Sequence, residues 1–179
     1  SLMGPMSPAA DAVAYVQDHG IMQGYAPGYF GENRALNRAE FAKVIMQLHT
    51  REVPATFSFH LPFKDVPPHA WYKTPVMYAY GVGLMTGYGD KTFRPTAPVT
   101  LAEAAKVLAT VYGLEIQNPS GLWYEGSVRS LAGQHAIPTP IRSLFSPLTR
   151  GEVAAMVARL DSGDRSRPSL AYEDVAGYA

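Results

Sequence analysis

Three stretches of the chain carry one pattern of polar and apolar positions: a polar cap, a glutamate three residues on, then an apolar stripe. The caps read Asn37-Arg38-Ala39-Glu40, Thr100-Leu101-Ala102-Glu103 and Thr149-Arg150-Gly151-Glu152. Behind them stand Phe41/Val44/Ile45/Leu48, Ala104/Val107/Leu108/Val111 and Val153/Met156/Val157/Leu160, the spacing of a helix with one buried face. Each cap has the form of a capping box. Asn or Thr accepts from the third helical N–H and the glutamate reaches back to the cap N–H, which stabilises a helix start by about 1 kcal/mol. A unit that recurs at Glu40, Glu103 and Glu152 cannot bury its apolar face alone and must pack against its copies.

A shorter helix precedes each of these. Ser7-Pro8 is a cap with proline at the first helical position, and Ala9 to His19 reads as a helix stopped by Gly20. The second copy gives a helix from about Ala70 to Tyr80, with Pro68 and Pro75 tolerable in or before its first turn. The loops match as well: Gly20-Ile21-Met22-Gln23-Gly24-Tyr25 against Gly83-Leu84-Met85-Thr86-Gly87-Tyr88. Ile21 to Glu40 and Leu84 to Glu103 are the same distance along the chain. In the third copy the span from Ile137 to Glu152 is shorter, and Pro138-Thr139-Pro140-Ile141 replaces the Gly-Tyr segment. Trp71-Tyr72 and Trp123-Tyr124 stand at the entrance of the last two copies, on the expected first helices. Upstream of Trp71 lies Phe63-Lys64-Asp65-Val66, a pattern that returns at the end as Tyr172-Glu173-Asp174-Val175. The first copy has no such entry segment, so the tail is expected either to supply it or to begin a fourth copy. The predicted organisation is one compact domain: a tail over 1–6, repeats over 7–50, 51–113 (with its entry linker) and 114–161, and a polar linker with the entry-like motif over 162–179.

Composition narrows the chemistry. With 15 basic and 15 acidic residues the chain lacks the positive field that nucleic-acid binding needs. It has no cysteine, which excludes disulfides, thiol catalysis and thiolate metal sites. No apolar run approaches the roughly 20 residues that span a bilayer, so membrane insertion is not expected. Ser1-Leu2 ahead of Met3 read as a cloning remnant, with any targeting signal lying outside this fragment.

Taken together the repeats resemble the S-layer homology family. The second copy shows almost the whole pattern: Phe63-x-Asp65-Val66, Trp71, Gly87-Tyr88-Gly89-Asp90, Phe93-Arg94-Pro95 and the cap ending in Glu103. The resemblance covers residues 7–161. It implies an all-α fold of three helix–loop–helix repeats packed with pseudo-threefold symmetry, and a non-catalytic, cofactor-free module at the cell surface. Such a module binds a cell-wall polysaccharide, commonly a secondary polymer with pyruvylated amino sugars in Gram-positive members, and serves proteins that self-associate in a surface layer. The departures are Leu101 for the family's arginine, Asn37 for threonine, and a third copy without the Gly-Tyr-Gly loop or the entry aspartate; not all three grooves are expected to bind.

Candidate contacts follow from chemistry. Arg38 and Arg150 leave the first helical turn near unpaired N–H groups and the positive end of the helix dipole, where a guanidinium can fork onto a pyruvyl carboxylate. Lys91 or Arg94 are candidate substitutes in the copy with Leu101. Trp71 and Trp123 offer faces for sugar rings, Tyr25 and Tyr88 hydroxyls for hydrogen bonding, and Gly24 and Gly87 close backbone approach. Each has a structural alternative: arginines paired to neighbouring acids, core tryptophans, loop-packing tyrosines, turn glycines. Asp65 and Asp174 read as caps. Replacing Arg150 with alanine is expected to weaken binding and leave the melting temperature nearly unchanged. A calcium loop is disfavoured by its single acid beside Lys91, and catalysis by scattered histidines and carboxylates without a cleft pair. A helical protein-interaction module without glycan is the alternative function.

Overall fold

The computed structural model describes residues 8–51 and 60–177; Ser7, read as the first cap, lies outside them. The described residues form helices α1 (Pro8–Asp18), α2 (Arg38–Thr50), α3 (Lys73–Gly81), α4 (Leu101–Val111), α5 (Glu125–Gly133), α6 (Arg150–Ser162) and the single turn α7 (Tyr172–Val175). The fold is all-α. The second helix of each repeat packs on the first helix of the next: α2 on α3, α4 on α5, and α6 back onto α1. The predicted stripes supply the core, with Phe41, Ile45, Leu108, Val153, Met156 and Val157 almost wholly buried.

The pseudo-threefold axis is visible in three backbone hydrogen bonds. The residue before each cap donates to its counterpart in another repeat: Leu36 N–H to Leu148 C=O (2.9 Å), Leu148 to Val99 (2.8 Å) and Val99 to Leu36 (3.0 Å). The ring closes because every copy places an extended residue at the same point of its sequence. Next to it the orphan donors of the helix starts are already taken. Arg38 N–H donates to Ala97 C=O and Ala39 to Pro95, Ala102 donates to Leu144, and Arg150 and Gly151 donate to Arg34 and Glu32. The unpaired N–H groups expected beside Arg38 and Arg150 are therefore occupied by carbonyls of a neighbouring repeat. The reciprocal capping box closes at Asn37 and Thr149; at Thr100 only the forward bond forms, at 3.3 Å.

At the other end of the second helices one carboxylate joins all three repeats. Asp161 accepts from Tyr15 (2.8 Å), from Tyr112 (3.0 Å) and from Arg51. Burial pushes its carboxyl up, but these three donors outweigh burial and hold it below the usual aspartate range. Burial and the same carboxylate push the Tyr15 phenol up to about 12.

The structure changes three sequence readings. In the third copy the register shifts by one: Ile21, Leu84 and Ala136 donate to Val16, Ala79 and Leu131 at matching positions, so Ala136 and not Ile137 is the equivalent of Ile21. His135 then falls on the place of Gly20 and Gly83, and all three have positive φ (54°, 67° and 77°). With that register Trp71 stands as far before Leu84 as Trp123 stands before Ala136. Second, α3 and α5 begin at Lys73 and Glu125, so both tryptophans stand in the turn before the helix instead of on it; Pro75 is the third residue of α3, where its missing N–H costs nothing. Third, the tail packs on the third repeat instead of supplying an entry segment to the first: Tyr172 is buried, Arg129 of α5 pairs with Glu173 (2.9 Å), and Leu144 N–H donates to Val175 C=O. The two aspartates also differ. Asp174 accepts from Ala171 N–H at its own helix start, whereas Asp65 accepts from Phe93 and Arg94 N–H (2.8 Å each) and clamps the loop of its repeat.

Candidate functional site

Two grooves between repeats are assembled from the same parts. Groove 1, of about 510 Å³, is lined by the loop Gly20–Tyr25, by Glu40, Lys43 and Gln47 of α2, by Trp71 of the next repeat and by Arg150 of the third. Groove 2, of about 330 Å³, is lined by Gly83–Tyr88, by Glu103 and Lys106 of α4, by Trp123 of the next repeat and by Arg38 of the first. The tryptophans are 58 % and 50 % exposed, because they sit on turns outside the helix–helix seams. Lys106 Nζ stands 5.7 Å from the centre of the Trp123 ring.

The arginines are inter-repeat clips. Arg150, 5 % exposed, donates through Nε to Phe30 C=O (3.1 Å), through Nη2 to Gln23 C=O (2.5 Å) and through Nη1 to Glu40 Oε2 (2.7 Å). Arg38, 6 % exposed, makes the same two carbonyl bonds one repeat on, to Phe93 (2.8 Å) and Thr86 (2.7 Å), but its Nη1 stops 3.7 Å from Glu103. Each guanidinium also lies over the tyrosine of the loop it clips, at 4.5 Å for Arg150 on Tyr25 and 5.2 Å for Arg38 on Tyr88. Here the alternative reading, arginines paired to acids, describes the geometry.

The clip explains what Leu101 does. The arginine position of one repeat serves the loop of the next, so the arginine missing from the second repeat is lost from the third position of the ring, while groove 2 receives Arg38. No substitute is needed there: Arg94 stacks on the Tyr88 ring at 3.7 Å and pairs with Asp90, and Lys91 lies outside the groove lining. At the third position Leu101 is fully buried, Ala155 replaces the lysine, and Pro8 stands where the other repeats have tryptophan. A bridge from Arg167 to Asp11 (2.9 Å) and a bond from Arg159 to Pro168 C=O cross that position instead.

The glycines serve packing. A Cβ on Gly87 would lie 2.1 Å from the Phe63 ring, and one on Gly24 would lie 2.6 Å from Tyr29 C=O. The tyrosines divide. Tyr25 donates to Glu40 Oε2 (2.8 Å), and burial together with that bond raises its phenol. Lys43 and Lys106 escaped the sequence reading, although a signal was there: each stands three residues after its cap glutamate, where the third repeat has Ala155. Among the described residues no group of three or more His, Asp or Glu could hold a metal ion, and no helix is long and apolar enough to cross a membrane.

The family model described as S-layer homology domain matches residues 3–42 and 62–105, which fall on the first and second repeats. The chain belongs to the S-layer homology family. It is a cell-wall anchoring module of the cell surface. The module is 30 % identical over 139 residues to the "Middle cell wall protein" of Brevibacillus brevis, covering 77 % of this chain and 13 % of that protein. It is 33 % identical over 105 residues to the "Surface layer protein" of Brevibacillus choshinensis, covering 58 % and 9 %. With the "Cellulosome-anchoring protein" of Acetivibrio thermocellus it shares 29 % over 102 residues, 56 % of this chain and 23 % of that protein. The S-layer homology chain thus spans less than a quarter of the length of these relatives.

Proposed function

We propose that grooves 1 and 2 bind an anionic secondary cell-wall polysaccharide, one carrying pyruvylated amino sugars, and that the third position does not bind. The observation that carries this reading is the joint presence of an exposed tryptophan, a tyrosine and a lysine around a buried guanidinium at two positions of the ring, and their joint loss at the third. The C–H face of a sugar lies on Trp71 or Trp123, and Lys43 or Lys106 meets the ketal carboxylate from the groove wall. Arg150 and Arg38 form the floor: they hold the loop in shape and add positive potential under the acid group, while their own hydrogen bonds stay with the protein. Tyr25 and Tyr88 close one side of each groove, Gly24 and Gly87 let the loop backbone come close, and Arg94 supports Tyr88 from outside. Binding of a polymer to two grooves at once raises avidity without further contacts.

Co-sedimentation with wall sacculi, before and after hydrofluoric acid removes phosphodiester-linked polymers, tests the reading. Pelleting that disappears on extraction is the expected result. Failure to pellet with either preparation would transfer the grooves to protein contacts.

A further inference from the structure

Groove 2 contains a hydrogen-bond acceptor that the protein leaves unused. Among the described residues Glu103 Oε2 is shut off from solvent and has no hydrogen-bond partner. The nearest guanidinium, Arg38, stops 3.7 Å away because Phe93 and Thr86 carbonyls pin its other nitrogens. In groove 1 both oxygens of the equivalent carboxylate are hydrogen-bonded. Glu40 accepts from Arg150 and Tyr25 on one oxygen and from Asn37 N–H (3.1 Å) on the other. Its side chain is 14 % exposed, that of Glu103 35 %. The Tyr88 hydroxyl makes no hydrogen bond among the described residues, and Lys106 lies toward Trp123.

A carboxylate oxygen that is buried without a partner is costly to the folded state, because its desolvation is not offset by a hydrogen bond. Glu103 lines groove 2 with a side chain that is 35 % exposed, so its carboxylate is reached from the open side of the groove. We propose that Glu103 is a ligand-binding residue of groove 2, accepting a hydrogen bond from an N–H or O–H donor of the bound amino sugar, and that groove 1 makes no such contact through Glu40. This rests on the glycan reading above and adds to it a difference in selectivity: groove 2 favours sugars with a donor beside the acid group.

The two tryptophans of the chain fall one in each groove, so the indole N–H signals of Trp71 and Trp123 report the sites separately. The probe is the methyl glycoside of a pyruvylated N-acetylhexosamine, titrated by NMR into the wild type, Glu103→Gln and Glu103→Ala. Glutamine keeps an acceptor and loses the charge; alanine loses both. If Glu103 acted through charge alone, both variants would bind the anionic probe more tightly, and equally. With Glu103 as acceptor, binding read at Trp123 is about fivefold weaker in the alanine than in the glutamine variant, and Trp71 titrates alike in all three proteins. Equal affinity of the two variants at Trp123 overturns the proposal. If neither indole signal moves in the wild type, the glycan reading fails, and this proposal with it. Thr100 still accepts from the backbone N–H of residue 103 in either variant, so the helix start is retained.

Discussion

Grooves 1 and 2 use the same parts in the same order, yet Glu40 meets three donors where Glu103 Oε2 meets none. The residues that define the grooves are alike: both loops run the same length to the glutamate, and both grooves receive an arginine, a tyrosine, a lysine and a tryptophan. The difference comes from the reach of one guanidinium, 2.7 Å against 3.7 Å, and from a tyrosine hydroxyl that bonds in one loop and not in the other. A repeat protein can thus make one of two sites built on the same arginine, tyrosine, lysine and tryptophan self-contained and leave the other incomplete, with Gln23, Arg34 and Asn37 of the first standing where the second has Thr86, Ala97 and Thr100. Burial pushes the Glu103 carboxyl up and outweighs the pull of Arg38 and of Thr100, its helix cap.

The largest test of this contrast is removal of the clips. Arg150→Ala breaks a buried ion pair and two carbonyl bonds, and should cost about 3–5 kcal/mol by chemical denaturation. Arg38→Ala, whose ion pair is already loose, should cost about 2 kcal/mol. Equal losses would mean that the longer reach of Arg38 carries no energy. This reverses the expectation from sequence, under which Arg150→Ala leaves stability nearly untouched; that expectation needed an exposed side chain, and the side chain is buried.

Asp161 provides a reference that acts on the whole ring. Its folded pKa is lowered, so its contribution is complete above the unfolded value of about 3.9 and is lost as pH falls through the lower folded value. Asp161→Asn should lower stability at pH 7 by about 2 kcal/mol and flatten the decline below pH 4. Denaturation curves at pH 7 and below pH 4 check both effects, and a variant as acid-sensitive as the wild type would remove Asp161 from the account.

The smallest effect is the most specific. Tyr25→Phe removes a hydrogen bond to Glu40 and should cost about 1 kcal/mol, while Tyr88→Phe should change the unfolding free energy by less than about 0.5 kcal/mol. A Tyr88→Phe loss as large as that of Tyr25→Phe would show that the second loop is also bonded to its glutamate in solution.

The fold was largely legible. The apolar stripes, capping boxes and equal loop lengths mark three copies of one unit, because helix amphipathicity and capping are short-range and follow from residue spacing. What failed lay at the edges of the copies. The aromatic pattern alone places the tryptophans on helices, yet these begin only at Lys73 and Glu125, and the register of the third copy is hidden because His135 replaces the glycine that marks the turn in the others. The tail motif was recognised but not its partner, since no local signal says that Tyr172 belongs on α5.

By itself the sequence determined the unit, its threefold repetition, the helix starts and the residue types available to each groove; these depend on contacts within a few positions along the chain. Tertiary structure alone decided which copy each side chain serves. Arg150 meets carbonyls 120 and 127 residues away, and Arg38 meets carbonyls 48 and 55 residues away. A side chain crossing between copies takes its partner from ring closure, which is why the leucine of the second copy silences the third position and why Glu103 is left with an oxygen to spare.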